Sequence, residues 1–168
     1  SILGLDIVKK ENTVKIYYTT DNGVFYSEDD GNTFQQIQNN NFPIIQNRHP
    51  QNLKVSPVDN NNMIMYFGEE LMKNSYYNIK GDIYYTTDGG KSWNKSTYNA
   101  KYNFMRNTLS MMERVPNFIW SVTDPNRVWD FQNDWISSSY NSGKEFRWDA
   151  NGLNAMLVGG KWHFNLYN

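Results

Sequence analysis

The sequence predicts an all-β fold that is built from repeated four-stranded antiparallel units. Three observations predict it: short segments rich in β-branched and aromatic residues, turn residues between those segments, and one pattern that occurs three times. The chain has 168 residues, of which 39% are hydrophobic, and this is enough for one ordinary domain. Aromatic residues make up 16% of the chain. They suit packing in sheets, and they also suit surfaces on which sugars stack.

Seven segments are predicted as strands, and turn residues bound them. The turns are Asp-Asn-Gly at 21–23, Lys-Gly-Asp at 80–82 and Asp-Pro-Asn at 124–126. One helix is considered over 103–115, because Met105, Leu109 and Met112 share a helical face, with a loop and a strand as the alternative. The predicted strands are 13–20, 23–28, 62–69, 82–87, 118–123, 127–132 and 134–139.

One frame repeats at 27–34, 86–93 and 139–146, and we call these segments the box turns. A hydroxyl residue is followed by Asp or Asn two places on, by Gly four places on and by an aromatic residue seven places on. The three copies begin 59 and 53 residues apart, at positions 27, 86 and 139. The frame residues are Ser27, Asp29, Gly31 and Phe34; Thr86, Asp88, Gly90 and Trp93; and Ser139, Asn141, Gly143 and Phe146.

The flanks of the second and third box turns repeat as well. Residues 55–68 and 122–132 each predict a strand, a polar turn with proline and a second strand. One unit is therefore a four-stranded antiparallel meander of about 50 residues, and radial stacking of such units gives a β-propeller. The chain accounts for about three to three and a half blades, fewer than most closed rings have. We expect 1–168 to be one segment of a longer propeller, which the same or another chain completes.

The frame resembles the Asp-box, or BNR-type, repeat of sialidases, xyloglucanase-type endoglucanases and sortilin-type receptor propellers. The first two box turns match at every key position, including Thr33 and Ser92. The third departs from the frame with Asn141 and Glu145, so a looser turn is expected there. In the families that it resembles, these turns lie on the rim, away from the face where substrates bind.

Each frame residue has a predicted structural role. The Asp accepts backbone N–H groups, the hydroxyl bonds across the turn, and Gly permits a positive φ angle. The aromatic residue is expected in the core of its own blade. The box turns lack the alternating ligands and distal Glu of a calcium loop, and the chain has no cysteine. We therefore expect no metal and no cofactor.

Asp21 is the candidate catalytic residue. The segment from 16 to 34 resembles the part of xyloglucanase-type enzymes in which a catalytic Asp precedes a Gly turn, and this resemblance implies that Asp21 is a base. A glycosidase also needs a second carboxylate, for which Asp82 and Asp134 are candidates in equivalent hairpins. The alternative is an Asp-Asn-Gly hairpin turn with no chemistry. If the protein is an enzyme, the resemblance favours a glycoside hydrolase of the endo-β-glucanase type. The arginine motif of sialidases is missing.

Carbohydrate binding without catalysis would use exposed aromatic residues as platforms. Tyr76 and Tyr77 precede a predicted strand, and Tyr98 and Tyr102 lie in a predicted loop. His49 and His163 have no partner nearby in sequence, which predicts surface or packing roles. The tryptophans expected in the core or between blades are Trp120, Trp129, Trp135 and Trp148.

The charge balance excludes some partners. The net charge of −1 gives no electrostatic basis for binding nucleic acid or an anionic membrane, and no apolar run reaches the length of a membrane span. We expect an extracellular or cell-surface protein, of bacterial origin. Two functions remain: a propeller directed at glycans, by binding polysaccharide or by hydrolysing it, and a non-catalytic propeller that binds proteins.

Overall fold

The computed structural model describes residues 1–10, 12–46, 48–69, 81–98, 117–132, 135–148, 153–158 and 161–166. Every regular element among these residues is a β-strand, which confirms the predicted all-β class. The segment 103–115, for which a helix was one interpretation, lies outside the described residues.

Three antiparallel four-stranded sheets, called blades 1 to 3, follow one another along the chain. Blade 1 contains β1 (Gly4–Lys10), β2 (Thr13–Thr20), β3 (Gly23–Ser27) and β4 (Gln35–Gln36). Blade 2 contains β5 (Arg48–Val55), β6 (Met63–Glu69), β7 (Gly81–Thr86) and β8 (Asn94–Lys95). Blade 3 contains β10 (Asn117–Trp120), β11 (Val128–Gln132), β12 (Trp135–Ser139) and β13 (Glu145–Trp148).

Two further features extend this pattern. A short strand, β9 (Thr97–Tyr98), pairs in parallel with the outer strand of blade 3. The strands β14 (Leu153–Val158) and β15 (Lys161–Leu166) pair with each other in an antiparallel hairpin. The predicted repeat of four-stranded units is thereby confirmed, and all seven predicted strands occur, with ends that differ by at most three residues.

Strand β6 shows why the blades stack. Its apolar run is buried on both faces, because blade 2 lies between two neighbours. Met63, Met65 and Phe67 pack with residues of blade 1, whereas Ile64 and Tyr66 pack with residues of blade 3. Among the described residues, the two buried clusters therefore lie between neighbouring blades.

The first strands of the three blades lie side by side. The Asp6 carboxylate of β1 accepts the Val55 N–H of β5 at 2.8 Å and also accepts from Lys54 Nζ at 2.8 Å. From β10, the Trp120 indole N–H donates to the Lys54 carbonyl at 3.2 Å. Sheets that radiate from adjacent inner strands form a β-propeller.

Strands β1 and β5 were not among the seven predicted strands. Strand β5 contains Pro50, and a register shift follows Gln51, where Asn52 adopts a φ of 53°. Both features interrupt the alternation that marks a strand in sequence. They are tolerated here because β5 is the first strand of its sheet and pairs on one side only.

The blades have two distinct ends. The box end carries the three box turns together with the turns 56–62 and 121–127 that link the first two strands of blades 2 and 3. The hairpin end carries the first residues of β1, β5 and β10 and the turn at Asp21 and Asn22. Candidate sites on the two ends therefore face opposite sides of the molecule.

Candidate functional site

The first two box turns close through the same hydrogen bonds. In the first, Ser27 Oγ donates to Asp29 Oδ1 at 2.6 Å and accepts the Gly31 N–H at 2.9 Å, while Asp29 Oδ1 also accepts the Thr33 N–H at 2.9 Å. The hydroxyl of Thr33 donates to the other Asp29 oxygen. Thr86, Asp88, Gly90 and Ser92 repeat these bonds in the second turn. The carboxylates serve the backbone, as predicted.

The third box turn closes without a carboxylate. Asn141 Oδ1 accepts from the Ser139 hydroxyl at 2.9 Å and from the Glu145 N–H at 2.9 Å. The Gly143 N–H donates to the Ser139 hydroxyl at 3.0 Å. One amide oxygen thus replaces Oδ1 of the Asp, and the two bonds from backbone N–H groups are as short as in the other copies. The looser turn predicted from Asn141 and Glu145 is limited to the hydroxyl bond, which is 2.9 Å here and 2.6 and 2.7 Å in the other two turns.

Backbone conformation explains the repeated glycine. Gly31, Gly90 and Gly143 have φ angles of 88°, 88° and 87°, in the region where a Cβ atom is unfavourable. The preceding residue is also left-handed in each copy, as Asp30, Gly89 or Ser142. Two consecutive left-handed residues make the tight turn, and only the second is glycine in all three.

The hydrogen bonds of the box turns stabilise their carboxylates as anions. Bonds from the Ser27 hydroxyl and from Thr33 lower the pKa of Asp29 to about 2. Burial raises the pKa of Asp88, but bonds from Ser92 and Thr86 outweigh that effect, so the net pKa is lowered. Neither group is suited to hold a proton near neutral pH, so neither is a general acid.

The box turns also join neighbouring blades. The segment 37–42, which follows blade 1, passes the second box turn, where the Asn41 side chain donates to the Trp93 carbonyl and accepts the Trp93 N–H, both at 2.8 Å. The Asn40 N–H donates to the Lys91 carbonyl at 3.0 Å. At the third box turn, Ser96 Oγ donates to the Gly143 carbonyl at 2.6 Å and the Thr97 N–H donates to the Lys144 carbonyl at 2.9 Å.

The aromatic residue of the frame also contributes to the contact between neighbouring blades. Trp93 packs in one cluster with Val8, Tyr17 and Val24 of blade 1, and its ring lies edge-on to Phe42 with centroids 6.3 Å apart. Phe146 packs with Ile64, Tyr66 and Ile83 of blade 2. The prediction that this residue fills the core of its own blade is therefore incomplete for Trp93 and Phe146, because each lies between its blade and the preceding one. It is wrong for Phe34, which is 40% exposed.

Asp21 lies in the turn between β2 and β3, at the hairpin end. Its carboxylate is hydrogen-bonded to Nδ1 of His49, which is at the start of β5 in the next blade. The two residues are 28 apart in sequence, so the apparent isolation of His49 was misleading. The Asp-Asn-Gly hairpin is confirmed, and the turn carries an interblade contact that the sequence did not predict.

Asp82 is held by two cations. Arg48 Nη1 lies 2.9 Å from its Oδ2, and Lys95 Nζ lies 2.7 Å from its Oδ1. The prediction that Asp82 occupies a hairpin turn equivalent to that of Asp21 is wrong, because Asp82 is inside β7 and pairs with Phe67. Asp134 lies outside the described residues.

The predicted carbohydrate platforms are largely beyond the described part of the chain. Tyr76, Tyr77 and Tyr102 lie outside it. Tyr98 is in β9, so its predicted loop position is wrong, and its backbone aligns with Phe146 in the parallel pair. Binding of carbohydrate by these four residues stays a prediction.

The described residues contain no group of three His, Asp or Glu side chains placed to hold a metal ion. They also contain no helix with the length and apolar character needed to cross a bilayer.

Comparison with protein families finds one match that covers almost the entire chain. The model of the Sortilin-Vps10 family, described as "Sortilin, neurotensin receptor 3", matches residues 2–162. Comparison with curated proteins finds no significant match.

Solved structures with the same fold include three GH74 enzymes. The GH74 xyloglucanase from Xanthomonas campestris has a TM-score of 0.55 and 12% identity over 90% of this chain and 24% of its own. An ancestral GH74 enzyme has a TM-score of 0.55 and 18% identity over 90% of this chain and 19% of its own. The Niastella koreensis GH74 enzyme has a TM-score of 0.50 and 15% identity over 95% of this chain and 26% of its own.

At these identities the likeness shows the fold alone, and it confirms the propeller interpretation. The chain spans only 19% to 26% of the length of these three structures.

Proposed function

This chain belongs to the Sortilin-Vps10 family, and from that premise we propose that it is part of a non-catalytic propeller that binds a protein or peptide ligand at its hairpin end. The observation that carries this proposal is the state of the two described candidate carboxylates. Asp21 is hydrogen-bonded to His49, and each oxygen of Asp82 already accepts from a cationic group.

Glycoside hydrolysis makes demands that these groups do not meet. It requires two carboxyl groups on either side of the glycosidic bond, one to donate a proton and one to act as base or nucleophile. Each oxygen of Asp82 is already paired with a cation, and Asp21 is hydrogen-bonded to the imidazole of His49. Breaking such ion pairs to admit a neutral sugar would cost their charge-assisted hydrogen bonds.

The side chains at the hairpin end suit a peptide better than a neutral glycan. Arg48, His49 and Lys95 alternate with the carboxylates there, and Ile44, in the segment leading into β5, is 90% exposed. Alternating charges of this kind suit a partner with complementary charges, as a protein or peptide has. The exposed aromatic side chains among the described residues, Phe34 and Tyr140, belong to the box turns instead.

A matched pair of surface variants tests the ligand face. Ile44→Asp changes an exposed residue that leads into the hairpin end, whereas Val122→Asp changes one at the box end, where Val122 is 80% exposed. Displayed random peptides selected on the unmodified chain are expected to bind the Ile44→Asp variant at least about tenfold more weakly, a loss of about 1.4 kcal/mol. They should bind the Val122→Asp variant unchanged. Equal binding to both variants would contradict the proposed face.

The second candidate is a glycan-directed propeller, either a hydrolase or a carbohydrate-binding module. Its supporting observation is that Asp21, the base implied by the resemblance to xyloglucanase-type enzymes, has a side chain that is 56% exposed in a hairpin turn. The predicted platforms Tyr76, Tyr77, Tyr98 and Tyr102 would then contact the polysaccharide. An extracellular or cell-surface location in a bacterium suits both candidates and is part of the proposal.

Reducing-end release from xyloglucan separates the two candidates. The non-catalytic proposal predicts no release by the chain. Release that Asp21→Asn abolishes and Asp124→Asn preserves would establish the hydrolase instead, since Asp124 is a turn residue at the opposite, box end. Binding of xyloglucan oligosaccharide without release, and competition by it for the selected peptides, would favour the carbohydrate-binding module.

A further inference from the structure

Two arginines lie against one tyrosine ring beside the third box turn, and we call Arg127, Tyr140 and Arg147 the Tyr140 cluster. The guanidinium carbon of Arg127 is 4.3 Å from the ring centroid of Tyr140, and that of Arg147 is 4.1 Å from the same centroid. Arg127 also lies over the ring of Trp129, at 4.9 Å. Tyr140 is 40% exposed, and Arg147 is exposed. A guanidinium that stacks on a ring by its face presents its N–H donors at its edges.

The cluster residues have equivalents in the other blades, because all three blades pair their strands in the same register. Val128 faces Ser139 in blade 3 as Met63 faces Thr86 in blade 2. The equivalents of Arg127, Tyr140 and Arg147, in that order, are Asn62, Thr87 and Asn94 in blade 2 and Lys15, Glu28 and Gln35 in blade 1. In blade 1 the cation forms an ion pair with the carboxylate, whereas in blade 3 the cation stacks on a ring.

The charge of the box turns changes along the chain. Residues 27–35 contain three carboxylates and no cation, and residues 86–94 contain one of each. Residues 139–147 contain two cations, Lys144 and Arg147, and one carboxylate, Glu145. Asn141 stands where the first two turns have Asp, so the third turn closes without an anion. Together with Arg127, the third turn therefore carries the most positive charge of the three.

Arg127 has no counter-ion among the described residues. Its buried Nε has no hydrogen-bond partner there, and none of the described ion pairs includes it. Asp124 is the nearest acidic residue in sequence, and its carboxylate accepts the Asn126 N–H at 2.9 Å. The described residues thus leave the charge of Arg127 uncompensated, and it adds to the positive potential at the third box turn.

The exposed side of the cluster does not depend on an open sheet face. Thr87 and Asn94, the equivalents of Tyr140 and Arg147, are exposed although blade 3 packs against blade 2. Asn62, the equivalent of Arg127, is buried instead. We therefore expect Tyr140 and Arg147 to stay accessible when a further sheet packs on blade 3, with Arg127 behind the ring.

We propose that Tyr140 and Arg147 form a site for a carboxylate side chain in an acidic peptide segment of a protein partner. The guanidinium of Arg147 pairs with the carboxylate through two parallel N–H groups, as this planar cation does in bidentate pairs. The ring of Tyr140 holds that guanidinium in place, and Arg127 contributes charge from behind the ring. The site is at the box end, opposite the hairpin end of the proposed function.

Other ligands fit this site less well. A neutral sugar would stack on an aromatic face, but guanidinium groups already lie over the ring of Tyr140. A polyanion, such as a nucleic acid or a sulfated polysaccharide, would also meet the negative charges of Asp124 and Glu145. A short acidic segment of a protein brings one or a few carboxylates to the arginines without that repulsion.

Two matched peptides with blocked termini test the site. The probes are Gly-Glu-Val-Glu-Val-Glu-Gly and the same peptide with Gln in place of each Glu, titrated into the 168-residue chain by calorimetry at about 0.15 M ionic strength. The Glu peptide should bind at least about tenfold more tightly than the Gln peptide, because only a carboxylate makes charge-assisted bonds. Arg147→Gln should weaken binding of the Glu peptide by about tenfold or more, and Arg147→Lys should recover only part of that loss.

Three control variants separate the cluster from general charge. Tyr140→Leu keeps every charge but removes the ring that holds the guanidinium groups, so it should weaken binding by about threefold or more. Lys144→Gln removes an exposed cation of the same turn that is outside the cluster, and it should change binding by less than about twofold. Ile44→Asp, at the hairpin end, should leave binding unchanged. Urea titration checks that each variant is folded.

Three results would overturn the proposal. The first is no binding of the Glu peptide, or equal binding of the Glu and Gln peptides. The second is an equal loss for Arg147→Gln and Lys144→Gln, because the effect would then be one of general charge. The third is binding of polygalacturonate that is tighter than binding of the Glu peptide and that Arg147→Gln abolishes, because the site would then serve an acidic polysaccharide.

Discussion

Blades 1 and 2 carry the same frame and close their box turns through the same hydrogen bonds, yet the frame aromatic is exposed in one and buried in the other. Phe34 is 40% exposed, whereas Trp93 is 2% exposed. The turn itself is therefore a local structure that needs no neighbour. Burial of the aromatic depends on the blade before it, because its partners come from that blade. The box turn is a joint between blades as well as a turn.

The largest expected difference between the two blades is the cost of removing this aromatic. Trp93→Ala should lower the free energy of unfolding by about 3–5 kcal/mol, because it empties a buried site between two sheets. Phe34→Ala should lower it by about 1 kcal/mol or less, because much of that ring is already in water. Urea unfolding of the two variants measures both values, and equal losses would remove the distinction between the blades.

A conservative variant separates packing from hydrogen bonding at this position. The buried indole N–H of Trp93 has no hydrogen-bond partner among the described residues. Trp93→Phe should therefore cost far less than Trp93→Ala in the same urea titration, in keeping with the phenylalanines at positions 34 and 146.

The next effect in size concerns the segment that crosses the second box turn. Asn41→Ala removes both side-chain bonds to the Trp93 backbone and should lower the free energy of unfolding by about 1–3 kcal/mol. Asn40→Ala is the matched control, since Asn40 contributes its backbone N–H and has an exposed side chain. Similar losses of stability for the two variants in thermal unfolding would show that the two side-chain bonds of Asn41 add no stability.

Much of the fold could be predicted from the sequence, because the relevant signals are local. The frame places the hydroxyl, acid and glycine within five residues, and the bonds that close the turn form within seven. Strands β2, β3 and β7 are short β-rich runs between turn residues, and they lie where predicted. Strand β5 was missed because Pro50 and the register shift after Gln51 break its pattern.

The candidate site was harder to predict, because it depends on contacts between distant parts of the chain. Asp21 meets His49 across 28 residues, and Arg48 meets Asp82 across 34. No spacing rule connects such pairs, since the first forms only when blades 1 and 2 are stacked and the second only when the strands of blade 2 have assembled. The aromatic of each box turn was assigned to its own blade for the same reason.

The smallest effect distinguishes the carboxylate from the amide in a box turn. Asp88→Asn should cost about 0.5–1 kcal/mol at pH 7, because Asn141 already closes the third turn with one amide oxygen. Asp88→Ala should cost more, because the Ser92 N–H and the Thr86 hydroxyl then lose their acceptor. Equal losses for the two variants in urea titration would show that the oxygen acceptor is unimportant.

The first box turn adds a dependence on pH. The pKa of Asp29 is lowered from 3.8 to about 2 in the folded chain, so its contribution to stability is complete above pH 4 and is lost as the pH falls towards 2. The difference in stability between the unmodified chain and Asp29→Asn should therefore be constant above pH 4 and shrink below it. A difference in stability that grows on acidification would contradict a lowered pKa of Asp29 in the folded chain.

The most direct measurement of the joint is a double-mutant cycle between Trp93 of blade 2 and Phe42 of the segment that follows blade 1. Their rings meet edge-on, with centroids 6.3 Å apart and planes at 89°. If the box aromatic joins the two blades, the single variants Trp93→Ala and Phe42→Ala should be coupled by about 0.5–1.5 kcal/mol. The same cycle with Phe34 in place of Trp93 should show no coupling. Additive losses of stability for Trp93→Ala and Phe42→Ala would contradict the claim that the box aromatic joins the two blades.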